Sequence, residues 1–201
     1  MRIALGFRVH SGWAAMVAVA GTIDAPAVVD RRRIVIADPN LPYSKQPYHA
    51  AAGLPIAKAE ALLREATESS RKLAVLSISS VVRSLESQGH ELAGCAILRG
   101  SGKPLPDIEG ILASHALIHT AEGEIFRDVL AWAAHECLLK VTSIREKAVD
   151  TPSIRHFDSI GKHIGPPWTQ DQKYATVAAF TVLADEGRGR EKNPLATNGH
   201  E

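Results

Sequence analysis

The chain has 201 residues, 45% of them apolar and 22% charged, and a formal net charge of +1. That length fits one core-bearing domain with a tail, and the near-zero charge excludes an overall field drawing the chain onto nucleic acid or an anionic membrane. Two cysteines, Cys95 and Cys137, make no disulfide framework, and no apolar run reaches the ~18 residues of a membrane helix, so a soluble, cytoplasmic protein is expected.

Ile3, Leu5 and Phe7 alternate with Ala4 and Gly6, which predicts a strand. Residues 9–12 make a corner, where Gly12 can supply positive φ. Residues 13–20 are nearly all small or β-branched apolar residues, as in a strand buried on both faces. After a turn at 22–27, residues 28–38 form a third strand, and Arg31, Arg32 and Arg33 within it suit a sheet edge. Residues 39–55 contain four prolines and two tyrosines and read as an ordered loop.

Residues 56–88 hold no Gly or Pro, and Leu62, Leu63, Ala66, Leu73, Leu76, Val82 and Leu85 recur at helical spacing, with Gly89 as C-terminal cap. Residues 92–98, LAGCAIL, fit a buried central strand. Asp107 is placed to cap a helix over 108–139, with a break expected near Gly123. Residues 140–145 form a fifth strand, 150–170 a loop, and 171–184 a last helix capped by Thr169 or Asp171. Residues 186–201 have almost nothing to bury and predict a disordered tail, leaving one domain over 1–185.

Three antiparallel strands followed by helix, strand, helix, strand, helix make a restrictive order. It resembles the ribonuclease-H-like fold, and within it the RuvC-type Holliday-junction resolvases and their relatives. The resemblance spans residues 2–184. It rests on the element order, on LGFRVHSGWA at 5–14 and on WTQDQKYATVAAFTVL at 168–183. It implies an α/β fold with a mixed five-stranded sheet and helices on both faces.

The resemblance also implies two divalent metals held by carboxylates from the first strand, the fourth strand and the last helix. Two such ions about 4 Å apart need several carboxylates to offset their charge. Arg8 stands where the first acid belongs, and the fourth strand ends in Leu98 and Arg99. Asp171 alone remains, so the implied site is degenerate.

Other groups carry chemistry of their own. His115 and His119 lie four apart in a predicted helix, with Glu122 three further on, so that all three share one face able to bind Zn²⁺; the plain alternative is a polar helix face. His10, Asp171 and Lys173 would meet at the functional edge of this fold as an acid–base or anion-binding group; the alternative is a turn histidine and a helix cap. Gly100, Ser101, Gly102 and Lys103 lack the spacing of a phosphate loop. Tyr43, Lys45, Tyr48 and His49 in the proline-rich loop suit either base stacking or pinning of the loop.

Two functions follow. One is a non-catalytic ribonuclease-H-like protein that binds nucleic acid, a nucleotide or a protein partner, with Arg8, Lys103 and Lys173 as binding residues. The other is a metal-dependent nuclease or hydrolase with a rearranged site built from His10, Asp171, His115, His119 and Glu122. No cofactor is firmly implied, a divalent metal belonging only to the second of these functions, and apolar helices would allow a homo-oligomer.

Overall fold

A computed structural model describes residues 1–100, 102–149 and 151–191, with side chains as far as 184 apart from residue 151. Its centre is a five-stranded sheet in the order β3-β2-β1-β4-β5. The strands are β1 (Arg2–His10), β2 (Trp13–Gly21), β3 (Pro26–Val35), β4 (Glu91–Arg99) and β5 (Val141–Arg145). The first three pair antiparallel, while β4 runs parallel to β1 and β5 parallel to β4. The mixed α/β fold read from the sequence is the one observed. The arginine triplet lies on the edge strand β3.

Two helical layers enclose the sheet. On one face lie α2 (Ile56–Ser87) and α4 (His115–Glu136), covering Ile3, Leu5, Phe7, Met16 and Ile97. On the other lies α7 (Gln170–Glu191), covering Ala4, Val17, Val19, Ala96 and Leu98. The alternation of β1 explains the split, because odd residues point to the first layer and even residues to the second.

Helix α2 buries Ala59, Leu63, Ala66, Ser70, Ala74, Ile78, Val81 and Leu85, a stripe at three- and four-residue spacing. It stops at Gly89, whose φ is +77°; His90 N–H donates to the Leu85 carbonyl and Gly89 N–H to that of Glu86. This is the paired closure that a left-handed residue after a helix permits.

Four expectations are corrected. The helix expected over 108–139 breaks at Ala113–Ser114, not at Gly123, giving α3 (Ile108–Leu112) and then α4, which runs unbroken through Gly123. Asp107 caps α3 by accepting from Gly110 N–H, and the chain breaks where the Ser114 backbone is extended before α4 begins. A single helical glycine costs only about 1 kcal/mol, which tertiary packing outweighs.

The 39–55 loop contains a short helix, α1 (Pro47–Ala51), opened by a proline at its first position, where a missing N–H costs nothing. The 150–170 loop contains α5 (Thr151–His156), a 3₁₀ turn (Phe157–Ile160) and α6 (Gly161–Ile164). Phe157 anchors that stretch by stacking on Phe180 of α7, with ring centroids 5.5 Å apart. At the C-terminal end, α7 continues to Glu191; the rest of the expected tail, 192–201, lies outside the described residues. Among the described residues no helix is long and apolar enough to cross a membrane.

Candidate functional site at the β1–α7 contact

The even face of β1 meets α7 at very short range. A Cβ on Gly6 would lie 1.8 Å from the Ala175 carbonyl oxygen and 2.9 Å from Ala179 N, so only glycine fits there. Ala175, Ala178 and Ala179, all fully buried, give α7 the small face that this approach needs. A capping box starts the helix, since Thr169 Oγ1 accepts from Gln172 N–H and Gln172 Oε1 accepts from Thr169 N–H. The first turn of α7 is thereby set over the C-terminal end of β1.

There, Arg8 forms a closed cluster of charges. Its Nη1 donates to Asp171 Oδ1 at 2.8 Å and its Nη2 to Glu146 Oε1 at 2.6 Å. The guanidinium carbon lies 4.3 Å from the centre of the Tyr174 ring, a cation–π contact one helical turn beyond Asp171. His10 Nε2 comes within 3.1 Å of Asp171 Oδ1 without hydrogen-bond alignment. The His10 ring stacks on Trp13 across the hairpin, at 4.4 Å and 13°, and Arg33 sits over the Trp13 ring at 3.7 Å.

Two solved structures share this arrangement of elements. The chain is similar to Thermus thermophilus RuvC in complex with Holliday junction substrate, with a TM-score of 0.54 and 11% identity over 93% of this chain and 97% of that one. A second Thermus thermophilus RuvC structure gives a TM-score of 0.52 and 10% identity over 92% and 96%. The chain has the RuvC fold. No protein-family model matches it, and no curated protein is similar to it in sequence.

Arg8, Leu98 and Asp171, the three residues singled out from the sequence at this end of the sheet, lie on β1, β4 and α7. Phe7 pairs with Ile97, which places Leu98 beside Arg8 on the α7 face, where it is 1% exposed in the apolar core. Arg99 turns the other way and pairs with Asp128 at 2.5 Å and Glu124 at 3.6 Å on α4. The second carboxylate of the cluster, Glu146, comes from the turn directly after β5. Sequence reasoning missed it, although an acid immediately beyond a predicted strand was the available clue.

The remaining candidates scatter. Lys173 donates to Asp158 at 2.5 Å instead of joining His10 and Asp171; two residues on, it lies about 200° round the helix from Asp171. Lys103 is exposed in the loop after β4. Arg31 donates to the carbonyls of Ile164, Gly165 and Pro167, and Arg32 to Asp30 and Ser84, so two of the three edge arginines serve the fold. Tyr43 donates to Glu65 and pins the loop to α2.

His115, His119 and Glu122 do share one face of α4, but in the opposite helical layer from His10 and Asp171. The five residues of the rearranged site therefore form two separate groups. Their unforeseen neighbour is His49 of α1, whose ring centre lies 4.7 Å from that of His119 and 5.9 Å from that of His115.

Proposed function

We propose that this protein is a RuvC-fold nucleic-acid-binding protein without two-metal nuclease chemistry. One observation carries the reading: the Arg8 guanidinium bonds to Asp171 and Glu146 at once, so a fixed cation occupies the carboxylates that a divalent ion would need. A guanidinium cannot be deprotonated in a protein and repels a metal ion approaching the same oxygens. The position implied on the fourth strand is filled by the buried side chain of Leu98, which offers no ligand atom.

Binding has a surface beside this cluster. A cleft of about 530 Å³ opens at the β1–β2 corner, lined by Ser11, Trp13, Arg33, Ser44 and Lys45 among others. Arg33 and Lys45 are exposed and give it positive charge for phosphate oxygens, while Trp13 gives it an aromatic wall. The structurally similar RuvC is described in complex with a Holliday junction, which makes a four-way junction the first ligand to try.

The test is fluorescence anisotropy with labelled four-way, duplex and single-stranded DNA, in Mg²⁺ and in EDTA, alongside gels for product. Saturable binding that persists in EDTA, is weakened by Arg33→Ala and by added salt, and gives no cleavage is expected. Metal-dependent cleavage abolished by Asp171→Ala overturns the reading.

A further inference from the structure

We infer that His49, His115 and His119 bind one zinc-type divalent ion, with Glu122 behind His49 as a positioning residue. The inference is independent of the nucleic-acid reading and uses none of its residues.

Two short-range facts and one long-range fact build the cluster. His115 is the first residue of α4 because the chain breaks at Ser114, and His119 follows four residues later on the same face. Helix α1 lays His49 against them from 66 residues away in sequence, and one nitrogen from each of the three rings lies within 4.8 Å of the others. Around a tetrahedral ion with bonds of about 2.0–2.1 Å, ligand nitrogens stand roughly 3.3 Å apart. His115 and His119 are exposed, so their side chains have room to rotate towards that spacing.

Glu122 supplies the second line of argument. Its side chain is only 4% exposed, and Oε2 accepts from His49 Nδ1 at 2.7 Å and from His49 N–H at 3.2 Å. Its other oxygen accepts from Tyr48 N–H. With Nδ1–H given to the carboxylate, His49 keeps its lone pair on Nε2. A carboxylate behind an imidazole in this way fixes the tautomer and raises the basicity of the ligating nitrogen. A buried carboxylate also needs positive charge nearby, which an ion bound to His49 provides.

Three imidazoles suit zinc and its neighbours, whereas magnesium and calcium take oxygen ligands. The exposure of His115 and His119 leaves the fourth position open to solvent. Bound there, the ion ties α1, at five residues too short to be stable alone, to the start of α4.

Tag-free protein is titrated with Zn²⁺ against a chromogenic chelator, and metal content is measured after dialysis. One zinc per chain is expected, weakened at least about 100-fold in His49→Gln and His119→Gln and roughly 10–100-fold in Glu122→Gln. His135→Gln, which removes an exposed histidine at the far end of α4, leaves affinity unchanged. Should Glu122→Gln not fold, the exposed His119→Gln variant decides. Absence of stoichiometric zinc, or equal weakening by His135→Gln, overturns the inference.

Discussion

Arg8 on β1 and Asp171 on α7 are joined by a 2.8 Å ion pair that spans 163 residues of chain. With Glu146 it forms a cluster of one cation and two carboxylates, each a fifth to a third exposed. Removing the cation leaves two negative groups facing each other. Arg8→Ala is therefore expected to lower stability by about 1–2 kcal/mol, less than the loss of a fully buried pair because water screens these groups. Urea denaturation of the variant beside wild type measures it, and an unchanged midpoint would mean that the cluster contributes nothing.

Replacing the same residue with an acid has the opposite electrostatic sense. Arg8→Asp brings three carboxylates together, a set that favours a hard divalent ion. Wild type is expected to show no change in melting temperature with Mg²⁺, which the histidine cluster does not suit, and Arg8→Asp a rise of a few degrees by mass action. A thermal-shift series reads both, and an equal response in the two proteins would refute the view that Arg8 excludes the metal.

Gly6→Ala tests how α7 is held. The added methyl would meet the Ala175 carbonyl far inside contact distance, so the helix backbone must move. Overpacking of this kind costs about 1–3 kcal/mol. Because the displaced helix carries Asp171, the variant should also lose the Arg8 contact. Adding Arg8→Ala should then cost less than it does in wild type, a coupling that a double-mutant cycle measures.

The two cysteines are expected to differ sharply in reactivity. Burial, helped by nearby Cys137, pushes the Cys95 thiol up to about 12, so almost no thiolate exists near neutral pH. Cys137 is half-buried and close to Ser79 Oγ. Disulfide-exchange labelling of native protein at pH 8 should modify Cys137 first and reach Cys95 only after unfolding in guanidinium.

Asp38 carries a small acid sensitivity. Asn40 N–H and the Ser69 hydroxyl donate to its two oxygens, and these hydrogen bonds hold its carboxyl below the ordinary 3.8. A folded-state value below the unfolded one stabilises the protein above the unfolded pKa, and that contribution fades as pH falls through the folded value. Asp38→Ala should lose less stability than wild type as pH is lowered from about 5 through the acid range in chemical denaturation.

Sequence pattern revealed those elements that local chemistry determines. The Ala59-to-Leu85 stripe, the Gly89 stop and the Asp107 cap are each written within a few neighbouring residues. The break between α3 and α4 had a local clue in Ser114, a residue type favoured just before a helix, but the more conspicuous Gly123 drew it about ten residues away. Helix α1 was hidden because prolines that end one helix can also begin another.

At the sites, legibility stopped where sequence distance grew. Arg8 and Asp171 were read as site residues through the resemblance, since both lie on long, well-patterned elements. Glu146 and His49 were missed, as each reaches its partners through tertiary packing that no local spacing encodes. Glu122 was placed on the correct helix face, yet it turns inward under His49 because α1, itself unforeseen, covers it.

The close contact between β1 and α7 also sets the order in which the chain can mature on the ribosome. Synthesis at about 5–20 residues per second lets the sheet and the α2–α4 layer emerge well before the residues of α7. Until that helix leaves the exit tunnel, Ala4, Val17, Val19, Ala96 and Leu98 form an uncovered apolar surface on a nascent chain whose other face is already complete. That surface is closed only when the alanine face of α7 packs down onto Gly6 and its neighbours.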